Sequence, residues 1–377
     1  MRPIPNPEAR GLAAASHGAL DFGELARLGL RSGEVVDFSA SVNPHGPAPK
    51  VIEAARAADI SEYPDRECRG LRAAISGHTG VEAEGIVCGN GSAELIDHLA
   101  RCYLAQGDTA FVVGPTFSEY ERASLLRGVK VTRFDRTLAP DGATLDVGNL
   151  SSEVQNWRPR VVWLCSPNNP TGDLMPRADV EAVLEAVFGV GGLLVVDEAY
   201  RDLVLEGELE NLTELLSGGA GGNIVLLRSM TKAHALAGLR LGYALSDPEV
   251  ISALAAVQPP WSVSGPAQDA GAAALSPPAL SHLEKSRGTL ARDAAFLRRE
   301  LSRLGLSVLS GVANYLLVDV SGSGGGAAAR GKLLAEGLQV RDCASFGLPE
   351  HIRVSVRRRE ECELLVSALE RLDRGPG

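Results

Sequence analysis

Hydrophobic and polar positions fall into two alternating patterns along this chain. From Gly85 onward, short and largely apolar runs recur at Ile86–Cys88, Ala110–Val113, Val129–Phe134, Val161–Cys165, Leu193–Val196 and Ile224–Leu227. Such runs suit strands covered on both faces. Between them the apolar residues take helical spacing, which predicts helices over Ala93–Ala105, Glu119–Arg127 and Ala178–Val187. Strand and helix in alternation predict an α/β fold with a mostly parallel sheet covered on both faces. Ligands of such sheets sit beyond the carboxyl ends of the strands.

The pattern changes after this region. A long helical stretch over Pro278–Leu304 leads away from it. A strand at Tyr315–Val318, a glycine-rich loop at Gly322–Gly326 and a helix near Ala327–Glu336 follow, then a strand at Ile352–Val356 and a helix near Glu360–Leu372. These predict a smaller α+β domain over 281–377, completed by an N-terminal segment, 1–44, with the large domain over 45–280. Residues 1–16 read as poorly ordered, Gly23–Gly29 as helical, and the stretch Asn43–Pro47 as the crossing into the main body. The glycine-rich loop lacks the following Lys-Ser/Thr of a phosphate loop and reads as a surface turn.

Composition narrows the function. The chain has 377 residues, 45% hydrophobic and 22% charged, with a net charge of -10. That surplus of negative charge disfavours nucleic acid or an anionic membrane as a partner. The six cysteines are scattered without a C-x-x-C pair, so reduced thiols are expected and no metal set is predicted. No apolar run is long enough to span a membrane, and the N-terminus lacks an apolar leader core. A cytoplasmic protein is expected.

The candidate chemistry lies where the strands end. Ser229-Met230-Thr231-Lys232 follows the run Ile224–Leu227, with Arg240 eight residues beyond Lys232. A lysine kept from water and near other cations becomes a nucleophile toward carbonyl compounds, and Ser229 with Arg240 can hold a phosphate beside it. A plain solvated lysine is the simpler alternative. Asp197 and Tyr200, in Asp197-Glu198-Ala199-Tyr200, end a very apolar run. A carboxylate there needs a partner such as a pyridinium nitrogen, or it caps a helix. Asn168-Asn169-Pro170-Thr171-Gly172 is a good turn whose Asn169 can donate to a phenolic oxygen. Gly89-Asn90-Gly91-Ser92-Ala93 runs from strand into helix, a place for an anion. Phe117, after the next strand, can stack on a flat ring or pack in the core.

Taken in order, these elements resemble the fold-type I, class I/II aminotransferases, which depend on pyridoxal 5'-phosphate (PLP), from about Val35 to Leu372. The resemblance implies an aspartate aminotransferase-like large domain and Lys232 as the Schiff-base lysine and proton carrier. Asp197 is implied at the pyridine nitrogen, Asn169 and Tyr200 at the phenolic oxygen, and Phe117 against the ring. Gly91, Ser92, Ala93, Ser229 and Arg240 are implied at the phosphate. Tyr63 matches a tyrosine that reaches the partner subunit's cofactor, which implies a homodimer with shared active sites. Arg353 matches the arginine that clamps the substrate carboxylate.

Within the superfamily, Asp37–Pro44, Gln258–Val263, Ala313–Leu317 and Arg341-Asp342-Cys343 look similar to L-threonine O-3-phosphate decarboxylases of cobalamin biosynthesis. Arg341, His17 and Asn43 are then implied as substrate contacts. His17-Gly18 matches the first half of the H-G-G-N segment of those enzymes, whereas Ala19 and Leu20 depart from it. The expectation is such a decarboxylase, acting on a small phosphorylated amino acid. The alternative is a histidinol-phosphate-type aminotransferase using 2-oxoglutarate. A non-catalytic binding protein on this fold is the remote alternative, disfavoured because Lys232, Asp197, Asn169 and Arg240 are all retained.

Overall fold

A computed structural model describes residues 4, 6–12, 17–139 and 141–373. Its strands in chain order are β1 (Val36–Asp37), β2 (Ile86–Gly89), β3 (Thr109–Gly114), β4 (Lys130–Asp135), β5 (Thr137–Ala139), β6 (Gly142–Thr144) and β7 (Val161–Cys165). There follow β8 (Leu193–Asp197), β9 (Ile224–Ser229), β10 (Gly242–Leu245), β11 (Tyr315–Asp319), β12 (Leu338–Gln339), β13 (Arg341–Asp342) and β14 (His351–Ser355). Seven of them form one sheet in the order β2-β10-β9-β8-β7-β3-β4. All neighbours are parallel except β10, which runs antiparallel to both β2 and β9.

The alternation of side chains explains the continuous apolar runs. Val162 and Leu164 of β7 face one core cluster with Leu194, Val196 and Leu226. Val161 and Trp163 face the other, with Val195, Val225 and Leu227. Successive residues point to opposite faces, so a strand buried on both sides has no polar position to spare. The expected helices are present as Ser92–Tyr103, Glu119–Leu125 and Arg177–Gly189. Five more, at Pro49–Ala57, Arg69–Thr79, Val147–Trp157, Pro248–Val257 and Gly265–Ala274, complete the cover.

A 27-residue helix, Pro277–Arg303, then runs roughly 40 Å. Its Ala279 belongs to the first core, while Leu297 and Leu301 belong to a separate one with Phe38, Leu316, Ile352 and Leu365. Over that second core lies the antiparallel sheet β11-β14-β13. The N-terminal segment is stitched into it. β1 pairs in parallel with β12, and Phe38 N–H donates to Gln339 C=O while its carbonyl accepts from Ser355 N–H.

Two expectations are corrected here. The stretch Gly322–Gly326 is not simply a loop, because a helix starts at Gly325 and a Cβ on Gly326 would stand 2.4 Å from the His351 carbonyl oxygen. Glycine is needed for that close approach. In the N-terminal region Pro7–Ala9 forms a 3-10 turn. Residues 1–3, 5 and 13–16 of the segment expected to be poorly ordered lie outside the described residues.

Candidate active site

The site forms where β7, β8 and β9 end. Cys165 at the end of β7 is the Cα partner of Asp197 at the end of β8, and β9 ends at Ser229. β10 brings in the remaining group. Its first residue, Gly242, pairs with both Gly89 of β2 and Ser229 of β9. The residue two places earlier, Arg240, is thereby held beside the Gly89–Ser92 turn. A Cβ on Gly91, whose φ is +80°, would lie 3.1 Å from an Arg240 guanidinium nitrogen, and one on Gly242 only 2.6 Å from Ser92 N. Gly242 is set by close backbone approach and Gly91 by its left-handed φ. Glu94 fixes the turn by accepting from Asn90 N–H (2.8 Å), Ser262 Oγ (2.5 Å) and Gln258 Nε2 (3.3 Å).

An inner cavity of about 110 Å³ lies between these elements. At one end stand the N-terminus of the helix Ser92–Tyr103, Ser229 and Arg240. The free N–H groups of a helix start favour an anion there. At the other end is the Asp197 carboxylate, with Phe117, Tyr200, Asn169 and Lys232 around the middle. Asp197 is buried. Its Oδ2 accepts from the Tyr120 hydroxyl at 2.7 Å and its Oδ1 from Ala199 N–H at 2.8 Å. Burial pushes its carboxyl up to about 6, opposed by those two donors. A phosphate cradle at one end, an unneutralised carboxylate at the other, an aromatic face and an amine between them suit a flat phosphorylated pyridine aldehyde.

A wider cavity of about 410 Å³ opens from it and shares Phe117, Asn169, Tyr200, Lys232 and Arg240. Its outer wall carries Arg341 and Arg353, Cα partners across β13 and β14. Arg353 donates to Asn169 Oδ1 and to the Ser39 carbonyl, and lies 5.2 Å from the Tyr315 ring. Arg341 donates to Ser345 Oγ at 2.6 Å. Burial, together with the neighbouring Arg353 charge, holds its pKa below the usual arginine value. His17 Nε2 sits 3.0 Å from Glu119 Oε1, and its ring is 5.4 Å from Phe117. The Glu119 carboxyl is held below its ordinary value, chiefly by the bond to His17.

One of the expected residues, Asn43, stands differently. Asn43 does not line either cavity. Its Nδ2 donates to Ala233 C=O (3.1 Å), its Oδ1 accepts from His45 N–H, and its own N–H donates to Lys232 C=O (3.0 Å). Its polar atoms are spent on holding the backbone around Lys232. Tyr63, expected to reach a partner subunit, is 78% exposed, stacks on Trp261 and does not line this chain's own cavity. Leu20, where the decarboxylase segment has asparagine, packs on Leu25, Val35 and Leu334. Gly18 does have a geometric reason, since a Cβ there would meet the Ser39 carbonyl oxygen at 2.1 Å.

Residues not foreseen include Tyr120, Glu119 and Arg136. Arg136 is buried, with Nε on Asp173 (2.8 Å) and its other nitrogens on the carbonyls of Val113, Gly114 and Cys165. It ties the ends of β3 and β7 together. Tyr120 and Glu119 follow Phe117 in the same turn, which was the only signal available.

Comparison with known proteins agrees with this geometry. The chain shares the aspartate aminotransferase-like fold of PLP-dependent enzymes. Histidinol-phosphate aminotransferase from Sinorhizobium meliloti in complex with pyridoxal-5'-phosphate superposes with a TM-score of 0.86 at 25% identity, over 98% of this chain and 97% of that one. Aspartate aminotransferase from Thermus thermophilus with maleate gives 0.81 at 27% identity, over 93% and 94%. The sequence model of aminotransferase class I and II matches residues 33–369, and the chain belongs to that family. Histidinol-phosphate aminotransferase of Symbiobacterium thermophilum is 35% identical over 91% of both chains. That of Rhodopseudomonas palustris is 34% identical over 98% of both. The protein is therefore a PLP-dependent enzyme of the aminotransferase superfamily. No helix among the described residues is long and apolar enough to cross a membrane.

Proposed function

We propose that the enzyme is an aminotransferase of the histidinol-phosphate type, moving an amino group from a small phosphorylated amine to 2-oxoglutarate. The observation that carries this reading is the likeness, over nearly the whole length, to relatives named for that activity. The outer cavity is compatible with it. Arg240 beside the helix start suits a cofactor phosphate, and Arg341 and Arg353 in the outer cavity suit the substrate. Two guanidinium groups in one half-closed cavity suit a substrate with two negative charges. A phosphate monoester near neutral pH is such a group, and so is a dicarboxylate. Both partners of the transfer can thus use the same arginines in turn.

PLP supplies, when bound, an electron-withdrawing ring that stabilises negative charge on the substrate carbon. In this reading Lys232 Nζ holds the cofactor and then carries the proton to and from that carbon. Asp197 stays ionised opposite the pyridine nitrogen. Asn169 Nδ2 and the Tyr200 hydroxyl take the phenolic oxygen, while Asn169 Oδ1 stays engaged by Arg353. Backbone N–H groups of Ser92 and Ala93 at the Gly91 turn, Ser229 and Arg240 take the phosphate. A homodimer also belongs to the proposal. It is supported by the exposed Tyr63–Trp261 stack, a large aromatic surface with nothing covering it in the single chain.

A second reading, decarboxylation of L-threonine O-3-phosphate, is favoured by Arg341 beside Arg353 on paired strands and by His17-Gly18 at the cavity mouth. Two arginines can turn a substrate carboxylate upright to the ring, and orientation decides which bond at the carbon breaks. The PLP-loaded enzyme is tested with L-histidinol phosphate and 2-oxoglutarate, and separately with L-threonine O-3-phosphate alone. Glutamate from the first is the expected result. Carbon dioxide and aminopropanol phosphate from the second, with no glutamate from the first, would replace the transaminase reading by the decarboxylase one.

A further inference from the structure

We infer that Tyr120 is a positioning residue for the cofactor, acting through Asp197, whose carboxylate it keeps ionised and aimed along the inner cavity by a hydrogen bond from its hydroxyl. This rests on the proposed contact between Asp197 and the pyridine nitrogen.

The geometry is specific. The bond from Tyr120 Oη to Asp197 Oδ2 is 2.7 Å long and wholly buried. Asp197 has two acceptor oxygens, and Ala199 N–H takes the other at 2.8 Å. The backbone donor is available to any residue at position 197, so the carboxylate's second partner is the part a side chain adds. A buried carboxylate without donors takes up a proton and becomes neutral. Neutral, it no longer stabilises a pyridinium, and the ring withdraws electrons less well. The groups facing Asp197 are few. Glu198 next to it favours the protonated acid, whereas Lys232 favours the carboxylate. The Cys165 thiol lies at the same place and is pushed up to about 12 by burial, so it stays neutral. Tyr120 itself is pushed well above its ordinary value by burial and by Asp197. Its hydroxyl therefore keeps its proton and remains a donor at every working pH.

The ring is held independently of that bond. It stacks on Trp163 at 5.5 Å with 7° between the planes, and meets Phe117 edge-on at 5.6 Å. Trp163 Nε1 donates to Ser124 Oγ (3.1 Å), which donates to the Tyr120 carbonyl (2.7 Å). The same ring thus fixes the direction of the hydroxyl and supports Phe117, the face of the cavity. A phenylalanine would pack equally well, so packing alone does not call for the hydroxyl.

The test compares Tyr120→Phe, Asp197→Asn and Trp163→Phe with the parent holoenzyme. PLP affinity is read by equilibrium dialysis, and the visible absorbance of the bound cofactor is followed against pH. Tyr120→Phe keeps the aromatic packing and is expected to bind PLP roughly tenfold more weakly, the effect of losing a charge-assisted hydrogen bond. Its absorbance transition is expected to move in the same direction as that of Asp197→Asn, by a smaller amount. Trp163→Phe, which removes the stacked indole and its bond to Ser124 but keeps the Tyr120 hydroxyl, should leave the transition where it is. If Tyr120→Phe keeps parental affinity and an unmoved transition while Asp197→Asn loses both, the role of Tyr120 is overturned and that of Asp197 stands. If Asp197→Asn is also unchanged, the Asp197 reading itself fails.

Discussion

Asp197 shows how one residue carries both the cost and the use of burial. Its strand is apolar at every position, so the carboxylate is taken out of water and survives on two donors. With its carboxyl pushed up to about 6, the cofactor-free protein takes up a proton there as the pH falls through that value. Binding opposite a pyridinium needs the ionised form. PLP affinity, measured by dialysis from roughly pH 5 to 7, is expected to fall below about 6 by up to roughly tenfold per pH unit, and to be flat above. The sign for folding follows from the same shift. A carboxyl raised from 3.8 to about 6 stabilises the cofactor-free fold fully below 3.8, and that contribution is lost as the pH rises through 6. An affinity constant across this range would show that Asp197 does not titrate at the site. The residues that line the inner cavity were largely legible in the sequence, because Asn169, Asp197 and Lys232 lie at or just past the ends of apolar strands and Arg240 lies eight residues beyond Lys232. Tyr120 was not legible as a partner of Asp197, since 77 positions separate them. Asn43 stands apart because a likeness over Asp37–Pro44 does not distinguish a side chain that faces a ligand from one that holds the backbone around Lys232.

The elements show where periodicity carries information and where it fails. Five of the six apolar runs became strands buried at nearly every position, as double cover requires, and the sixth, Val129–Phe134, became the half-exposed edge strand β4. β10 escaped notice, being four residues long and closely following the Lys232–Arg240 segment. Only the paired register with Gly89 and Ser229 reveals what it does, which is to return Arg240 to the Gly91 turn at the start of the helix Ser92–Tyr103. The helix Gly265–Ala274 escaped for another reason. Its ten residues include five alanines and two glycines and no large apolar side chain, so no apolar stripe stands out, although Gly271 is needed where Leu241 and Leu71 approach. The segment His17–Leu20 gives the test at this scale. A Cβ at position 18 cannot coexist with the Ser39 carbonyl, which also accepts from Arg353. Gly18→Ala is expected to raise KM for the anionic substrate severalfold with PLP affinity unchanged. Steady-state kinetics with parallel dialysis decides it, and an unaltered KM would detach this segment from the substrate cavity.

At the scale of the whole molecule, one long helix runs from the core of the large sheet to that of the antiparallel sheet β11-β14-β13, and residues of both parts line the outer cavity. The strand ends of the large sheet and the segments that follow them supply the inner cavity, while β13 and β14 supply Arg341 and Arg353. One buried charge cluster anchors the floor of this arrangement. Glu198 bonds Arg228 at 2.9 Å and Arg201 at 3.0 Å. Arg228 Nη2 already lacks a hydrogen-bond partner there. Removing the charge with Glu198→Gln strands a buried guanidinium and is expected to cost about 3–5 kcal/mol of stability, as read by urea unfolding of the PLP-loaded enzyme. A loss below about 1 kcal/mol would mean that water reaches the cluster. The overall charge of -10 fits this picture, because the cations that matter are gathered inside one cavity.

The most direct measurement of the account is the position of the cofactor-bearing lysine. The chain has five lysines, Lys50, Lys130, Lys232, Lys285 and Lys332, and only Lys232 lines the cavity. Borohydride reduction of the PLP-loaded protein, followed by peptide mass mapping, is expected to place the phosphopyridoxyl group on Lys232 alone. Stoichiometric label on any of the other four, or none at Lys232, would contradict the assignment of this cavity as the active site.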